Sequence, residues 1–528
     1  MERLLSAGRE LRTELQRRHK QITAVVNSFH NNALSVNHGL LPDILPQVIE
    51  EVAKSSPPSP RDLGWMKTSH VCSAWRQTII CMASLWAREA GVFRSLKSFR
   101  TITQRARGAP LTLRSIGGRF PGIFGSRHQD RLQNIYFEVL PRVRVIDLQL
   151  GVRDIERLLE ALSGAQAPLK LETVILENLH PEEPRSASFP NPLNCPRLHV
   201  LSLQKVFVSS SGHKLTRLSL RGDSGYAPPI SGTQFLDLLS GSSQELEELH
   251  LFQWLPATWE ISPNQKVGLP CLRVMILFAP PAHAHYMSLL KHLGTPALAS
   301  LCMDNTRGPQ TLPDMLNVMD HVLSNGQQCF SNPDTLGIAF HRTGALSETH
   351  IVVHMGSHED PHFTKYSPAF FSSPRHARQS TVFERSGVEL RFSDLVDNVD
   401  DGIEPLEPTD AYQAIVERYV PWRAQSGLDP VTVASFTSTQ LLSMDTRDTL
   451  SNLSAVETLY IHLPPGADTH SPSVDTDIGV LKALTALQPD GSFSRLPLLQ
   501  NLIYKQEVLD GAFGNVKSER TSDGVSRT

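Results

Sequence analysis

Apolar residues recur at intervals of mostly three, four or seven along the first 38 residues, and charged residues fill the positions between them. This spacing places the apolar side chains on one stripe of a helix. The stripe consists of Leu4, Leu11, Leu15, Ile22, Val25, Val26 and Phe29. We therefore predict that residues 1–38 form an amphipathic helix, which either docks on its own chain or pairs in a short coiled coil.

Three shorter helical patterns follow over residues 39–95, the first two separated by a proline-rich loop at 55–60. The first begins at Leu41-Pro42, since proline is tolerated near the first turn of a helix. Val48, Ile49 and Val52 continue it at three- and four-residue steps. The second contains Leu63 and Met66. The third places four residues on one face, namely Val71, Trp75, Ile79 and Met82. Leu85-Trp86 ends this small bundle. A core of this size gives only marginal stability by itself, so we expect a partner or a neighbouring domain to complete it.

A different pattern, with apolar residues at i, i+3 and i+5, recurs from residue 143 onward. Its copies begin at Val143, Leu171, Leu198, Leu215, Leu246, Leu272, Leu298, Val456 and Leu499. Most steps between the earlier copies match the roughly 20–29-residue period of leucine-rich repeats. Helical spacing follows some copies, as at residues 235–239 and 315–322. The sequence thus predicts an α/β solenoid of strand-helix repeats over about 105–510, with one 17-residue step too short for a helix.

The repeat pattern is lost from about 341 to 450. Alternation over Val388–Phe392 predicts one further strand there, and Ile415, Val416 and Tyr419 predict a helix that ends at Pro421. We interpret this region as divergent repeats with insertions. The Gly-, Ser- and charge-rich segment 511–528 is predicted to be a disordered tail.

Residues 40–90 contain a series of motifs in a characteristic order, namely Leu41-Pro42, Ile44, Val48-Ile49, Val71-Cys72, Trp75-Arg76 and Leu85-Trp86. With these motifs the bundle resembles an F-box, and its likeness is greatest to the F-box-like proteins expanded in mushroom-forming fungi, which continue into leucine-rich repeats. The resemblance implies binding to the Skp-type adaptor of a Skp–cullin–F-box ubiquitin ligase. The adaptor-binding residues would be Leu41, Pro42, Ile44, Val48, Ile49, Val71, Trp75, Leu85 and Trp86.

The same resemblance implies that the repeats recruit a protein substrate and that the chain itself is not an enzyme. In a repeat strand, side chains alternate between the core and the outward face. The outward row becomes apolar at four positions, Phe252, Val274, Ile276 and Phe278, beside a charged rim of Arg217, Arg221 and Glu248. Because outward apolar patches mark binding sites, we predict substrate contact there, unless another segment such as 341–450 covers the row.

Composition narrows the class of protein further. Fifty Lys and Arg residues against 53 Asp and Glu residues give a net charge of −3, so no global nucleic-acid footprint exists. The six cysteines lack close spacing, which favours a reduced intracellular protein of the cytoplasm or nucleus over a disulfide scaffold. No apolar run approaches the roughly 20 residues that span a membrane. We expect no cofactor, no nucleic acid and no membrane partner.

Two alternatives to the ligase interpretation stay open. A literal H-E-x-x-H at His358–His362 would suit a zinc hydrolase, but Pro361 opposes the helix that such a site needs, so we predict no metal site. His350 and His354 have the same four-residue spacing, but Val352 and Val353 favour a strand there, and a strand holds residues four apart too far from each other to share a metal ion. The other alternative is a non-catalytic repeat scaffold with a degenerate F-box, because Pro46 falls inside the first predicted helix.

Overall fold

The computed structural model describes most of the chain in segments. The described residues are 2–33, 44–93, 95–114, 138–164, 170–179, 188–193, 195–210, 214–222, 230–254, 256, 265–278, 289–305, 310–326, 335–343, 348–356, 387–393, 395–396, 414–421, 430–437, 453–463, 496 and 498–506. The chain divides into two units, Met1–Leu220 and Arg221–Thr528, which are described separately below. Leu41, Pro42, the motif at 358–362 and the segment 511–528 lie outside the described residues.

The first unit begins with helices. They are α1 (Glu2–Ala33), α2 (Ile44–Ser55), a 3-10 helix (Gly64–His70), α3 (Ser73–Cys81), α4 (Ala83–Arg88) and α5 (Leu96–Arg105). Val71 was predicted on the third helix, but the 3-10 helix extends to His70 and α3 starts only at Ser73. Val71 therefore lies between the two helices. Helix α5 prolongs the bundle beyond the predicted boundary at 95, because Phe99 and Ile102 are buried.

Parallel strands follow the bundle. They are β1 (Leu111–Arg114), β2 (Val143–Leu150), β3 (Thr173–Asn178), β4 (Ser188–Leu193), β5 (Val200–Gln204), β6 (Phe207–Ser210) and β7 (Arg217–Arg221), with helix α6 (Val152–Ser163) after β2. Strands β1, β2, β3 and β5 pair in that order, and Ile146, Val174 and Leu201 stand side by side. The short step before β7 contains β6, which pairs with β4 in a separate two-stranded sheet. The buried leucines alternate with half-buried residues, as the pattern predicts.

The second unit holds the remaining elements. They are α7 (Gly232–Gly241), β8 (Glu248–Phe252), β9 (Val267–Gly268), β10 (Val274–Phe278), β11 (Leu293–Gly294), β12 (Ser300–Asn305), β13 (Gln310–Thr311), α8 (Leu312–Gly326), β14 (Thr335–Thr343), β15 (Glu348–Gly356), β16 (Gly387–Ser393), β17 (Leu395–Val396), β18 (Val433–Thr437), β19 (Thr458–Leu463) and β20 (Asn501–Gln506). A further helix covers 414–421. A capping box starts α7, where Ser231 Oγ accepts from the Gln234 backbone N–H and the Gln234 side chain accepts from the Ser231 N–H.

Strand order in the second unit departs from a simple repeat. Strands β8, β10, β12 and β16 are parallel neighbours, and β14, β18, β19 and β20 form a second parallel run. Between the runs, β15 is antiparallel to both β14 and β16. The strand at Val388–Phe392 and the helix ending at Pro421 are both present, as predicted for the irregular region. The helix at 414–421 is tied to α8, because Arg418 Nε donates to Asp320 Oδ1 at 2.6 Å.

These elements make the chain a mixed α/β protein built largely on parallel strands. Every predicted i, i+3, i+5 copy contains a strand in the structure. Among the helices described, none combines the length and the hydropathy needed to cross a bilayer. No disulfide joins the described cysteines, and burial raises the pKa of Cys195 to about 12, so that its thiol stays protonated at neutral pH.

Candidate functional site

The helical bundle is organised around two tryptophans. The rings of Trp65 and Trp86 meet edge to face with their centroids 5.1 Å apart, and both residues are buried. Trp86 Nε1 donates to the Ile79 carbonyl at 2.7 Å, which satisfies its buried N–H and ties α4 to α3. The Arg105 guanidinium lies 4.4 Å from the Trp86 ring centroid, so α5 covers the same indole through a cation–π contact.

The proline-rich loop is part of this bundle. Gly64 adopts φ +53°, and a Cβ atom at this position would come within 2.6 Å of the backbone of Ser56, Pro57 and Pro58. Only glycine permits both this conformation and this close approach. The Trp65 backbone N–H donates to the Ser56 carbonyl at 2.8 Å, which fastens the loop to the start of the 3-10 helix.

Asp62 completes the same turn. Its Oδ1 accepts from the Gly64 backbone N–H at 2.8 Å and lies 2.6 Å from Lys67 Nζ. The hydrogen bond with Lys67 and then the backbone hydrogen bond from Gly64 lower the pKa of the Asp62 carboxyl. The loop geometry therefore rests on a glycine, a carboxylate and a lysine that the helical pattern alone did not distinguish.

The adaptor-binding residues predicted from the sequence divide between the core and the surface. Ile49, Leu85 and Trp86 are buried, Val48 and Trp75 are half-buried, and Ile44 and Val71 are exposed. Leu63 joins the exposed set, although the sequence pattern had placed it inside a helix. The sequence feature that could have predicted this exposure is the position of Leu63 between Asp62 and Gly64, because these residue types favour a turn, and a turn precedes the 3-10 helix here.

Outside helix α1, most of the exposed large apolar side chains of the described residues lie in the bundle. Ile44 is 39% exposed, Leu63 44% and Val71 50%. Outside α1, the only other described large apolar residue with comparable exposure is Leu498. Because exposed apolar groups gain free energy when a partner covers them, these three residues define the candidate partner surface of the bundle.

A buried carboxyl lies where the bundle meets the first strand. Glu89 is 6% exposed, and the next residue, Ala90, bridges to Leu113 of β1. Burial raises the pKa of Glu89, while the Arg114 guanidinium and then the Trp65 indole act in the opposite direction. Arg114 also lies 3.3 Å from Asp147 of β2, so this arginine interacts both with an acidic group of the bundle and with one of the sheet.

In the second unit, the predicted outward row carries an aromatic stack. Phe252 of β8 and Phe278 of β10 are register partners, and their rings stack with centroids 4.8 Å apart. The Arg221 guanidinium lies 5.8 Å from the Phe252 ring centroid. Glu248 Oε2 lies 3.5 Å from His250 Nε2 on the same strand. Arg217 belongs to the first unit, where it begins β7.

Ile276 does not form part of an accessible surface, which corrects its predicted role. It faces the same side as Val274 and Phe278, as predicted, but it is 0% exposed. Its register partners on this face are His250 and Cys302, and Cys302 is buried as well. The accessible apolar residues of the row are therefore the half-buried Phe252, Val274 and Phe278. The alternation of side chains along the strand correctly predicted the side of the sheet on which Ile276 lies, but it could not predict that Ile276 is buried there.

The metal hypothesis gains no support from the described residues. His350 and His354 lie on strand β15, as Val352 and Val353 between them predicted. Across the described part of the chain, no cluster of three or more His, Cys, Asp or Glu residues is placed to hold a metal ion.

The repeats also depart from the leucine-rich-repeat consensus at one buried position. That consensus places Asn or Cys three residues after the last strand leucine. Val206 and Trp254 occupy this position after Leu203 and Leu251, and both are buried. Trp254 packs against Phe235 of α7 with the ring centroids 5.4 Å apart.

No family model, curated protein or solved structure matches the chain.

Proposed function

We propose that this chain is the substrate-recognition subunit of a Skp–cullin–F-box ubiquitin ligase, with an F-box-like bundle and a leucine-rich-repeat-like solenoid. The observation that carries the proposal is the exposure of Ile44, Leu63 and Val71 around a core built on Trp65 and Trp86. A bundle that presents apolar groups beside a rigid aromatic core is suited to partner binding. The resemblance of residues 40–90 to an F-box implies that this partner is a Skp-type adaptor.

The position of Pro46 removes the feature that favoured a degenerate scaffold. Helix α2 begins at Ile44, so Pro46 lies in its first turn. Proline is tolerated there because the first-turn N–H groups have no acceptor within the helix. The feature that favoured the scaffold hypothesis in the sequence is therefore accommodated without a break in α2.

The substrate would bind the face formed by Phe252, Val274 and Phe278. The stacked rings beside the Arg221 guanidinium offer an apolar contact and a cation, and Phe and Arg are both enriched at protein interfaces. The carboxylate of Glu248 extends the charged edge of this face. In this proposal the chain binds and positions, and partner enzymes carry out ubiquitin transfer.

Adaptor binding is tested by co-expression with a Skp-type adaptor. We expect a complex that co-elutes on size exclusion, and we expect an Ile44→Asp, Val71→Asp variant to bind at least about tenfold more weakly. The matched control is Gln47→Asp, Gln77→Asp, which places the same charges at exposed polar positions of α2 and α3. Wild-type protein that stays unbound beside excess adaptor would contradict the proposal.

A further inference from the structure

The apolar stripe of helix α1 is open along its described length. Leu11, Leu15, Ile22, Val25 and Val26 are between 59% and 64% exposed, whereas helices of folded proteins normally bury such a face. Ile22, Val25 and Val26 are also β-branched, which lowers their helix propensity. A 32-residue helix of this composition gains its stability chiefly from packing of the apolar face.

The spacing of the stripe fits the seam of a coiled coil. Gly8, Leu11, Leu15, Arg18, Ile22 and Val25 follow one another at alternating steps of three and four residues. This alternation has the 3.5-residue period of a helix that packs along another helix. From Gly8 to Val25 the seam spans about 26 Å at 1.5 Å per residue.

We propose that α1 pairs with α1 of a second copy of this chain, and that the two helices run antiparallel. The stripe is symmetric about the midpoint between Gln16 and Arg17. An antiparallel pair centred there places Leu11 against Ile22 of the second copy, Gly8 against Val25, and Leu15 against Arg18. Leu11 then packs against a second large apolar side chain, the small Gly8 receives a valine, and the aliphatic stem of Arg18 lies along Leu15.

A parallel pair of the same helices would be much less favourable. It would set Arg18 against Arg18 and Gly8 against Gly8, which creates a like-charge contact and a gap in the same seam. Arg18 is already held on its own helix, where its Nε lies 2.9 Å from Glu14 Oε1. In the antiparallel pair this ion pair persists beside Leu15 of the second copy.

The charge distribution favours the same orientation. Residues 9–20 contain five Arg and Lys residues against two Glu residues, whereas residues 21–33 contain no Asp, Glu, Lys or Arg. About the midpoint between Gln16 and Arg17, antiparallel pairing lays the uncharged residues 21–25 of one helix along residues 8–12 of the other, and only residues 13–20 of the two helices face each other. Parallel pairing would superimpose the two basic halves. A membrane surface fits less well, because Arg18 lies within the apolar stripe.

The described stripe is modest against the roughly 800 Å² that each partner of a stable interface buries, so we expect a reversible dimer. Sedimentation equilibrium of the full chain should show self-association that decreases on dilution. A Leu15→Lys, Ile22→Lys variant should associate at least about a hundredfold more weakly, because each change occurs twice in the dimer. The control Gln16→Lys, Thr23→Lys adds the same charges at exposed positions off the stripe and should leave the dimer intact.

Orientation is tested separately with a short bis-maleimide in a Cys81→Ser, Cys271→Ser, Cys329→Ser background. A mixture of Leu11→Cys and Ile22→Cys chains should cross-link between them, while Leu11→Cys alone should not. The reverse result would establish a parallel pair and overturn the orientation. A monomer at all concentrations that gives neither cross-link would overturn the proposal, as would a monomer that binds phosphatidylcholine–phosphatidylserine vesicles through α1.

Discussion

The edge-to-face contact between Trp65 and Trp86 connects the 3-10 helix to α4 within the bundle. The two indoles differ in how they are held. Trp86 donates from Nε1 to the Ile79 carbonyl and also carries the Arg105 guanidinium over its face. Trp86 therefore links α4 to the 3-10 helix, to α3 and to α5, and the arrangement of the candidate adaptor surface depends on it.

Trp86→Phe should destabilise the bundle by about 2 kcal/mol, because it removes a buried hydrogen bond and part of the packed ring. Hydrogen exchange of peptides from residues 64–105, measured on the full chain, should show faster local opening. The control is Trp75→Phe at a half-buried position, which should change stability by less than about 1 kcal/mol. Equal effects of the two changes would mean that Trp86 has no special place in the core.

Gly64→Ala should release the proline-rich loop. The substitution strains a residue at φ +53° and drives a Cβ atom against the backbone of Pro57 and Pro58. We expect a loss of at least about 2 kcal/mol in the free energy of unfolding. Limited proteolysis at the 55–60 loop should accelerate in this variant. Gly108→Ala serves as the control, since no atom lies within 4 Å of its added Cβ, and it should leave the cleavage rate unchanged.

Local periodicity predicted the elements but not their long-range relations. The i, i+3, i+5 copies each became a strand, because alternation of apolar and polar residues is a local property of a half-buried strand. The antiparallel pairing of β15 with β14 and β16 depends on contacts between distant segments, which no local period specifies. Helix α5 had a visible signal in Leu96, Phe99 and Ile102, whose spacing continues the bundle past residue 95.

In the candidate sites, too, the sequence predicted local features but not those that depend on tertiary packing. Residue types and alternation identified Phe252, Val274 and Phe278 as one face, whereas the burial of Ile276 depends on how its surroundings pack. Leu63 was missed as an exposed residue because the sequence suggested a helix that begins before it, while Gly64 requires a turn there. Exposure therefore depends on the tertiary structure even where the element is predicted correctly.

The two kinds of residue in the outward row should respond differently to the same substitution. Ile276→Ser should lower the free energy of unfolding by roughly 2–4 kcal/mol, because it leaves a cavity and buries a hydroxyl. Phe278→Ser, at a half-buried position, should cost less and leave the strands folded. Urea unfolding of both variants measures the difference. A fully tolerated Ile276→Ser would indicate that this residue is accessible and belongs to the binding face.

Glu89 should give the protein a distinct pH dependence. Burial raises its pKa above the ordinary value of about 4.3, so the folded protein holds this proton more tightly than the unfolded chain does. The free energy of unfolding should therefore fall as the pH rises from about 4.3 through the raised pKa, and the loss should be complete above it. Because glutamine carries no titrating proton, Glu89→Gln should abolish this decrease.

Urea unfolding of wild type and Glu89→Gln between about pH 4 and pH 8 tests this expectation. The stability of the variant relative to wild type should increase with pH across that window and then level off. Glu50→Gln, at an exposed position of α2, controls for the loss of one carboxylate and should run parallel to wild type. If the variant instead loses stability relative to wild type as the pH rises, the attraction of Arg114 outweighs the burial of the carboxyl, and Glu89 acts as an ion-pair partner that stabilises the junction with β1.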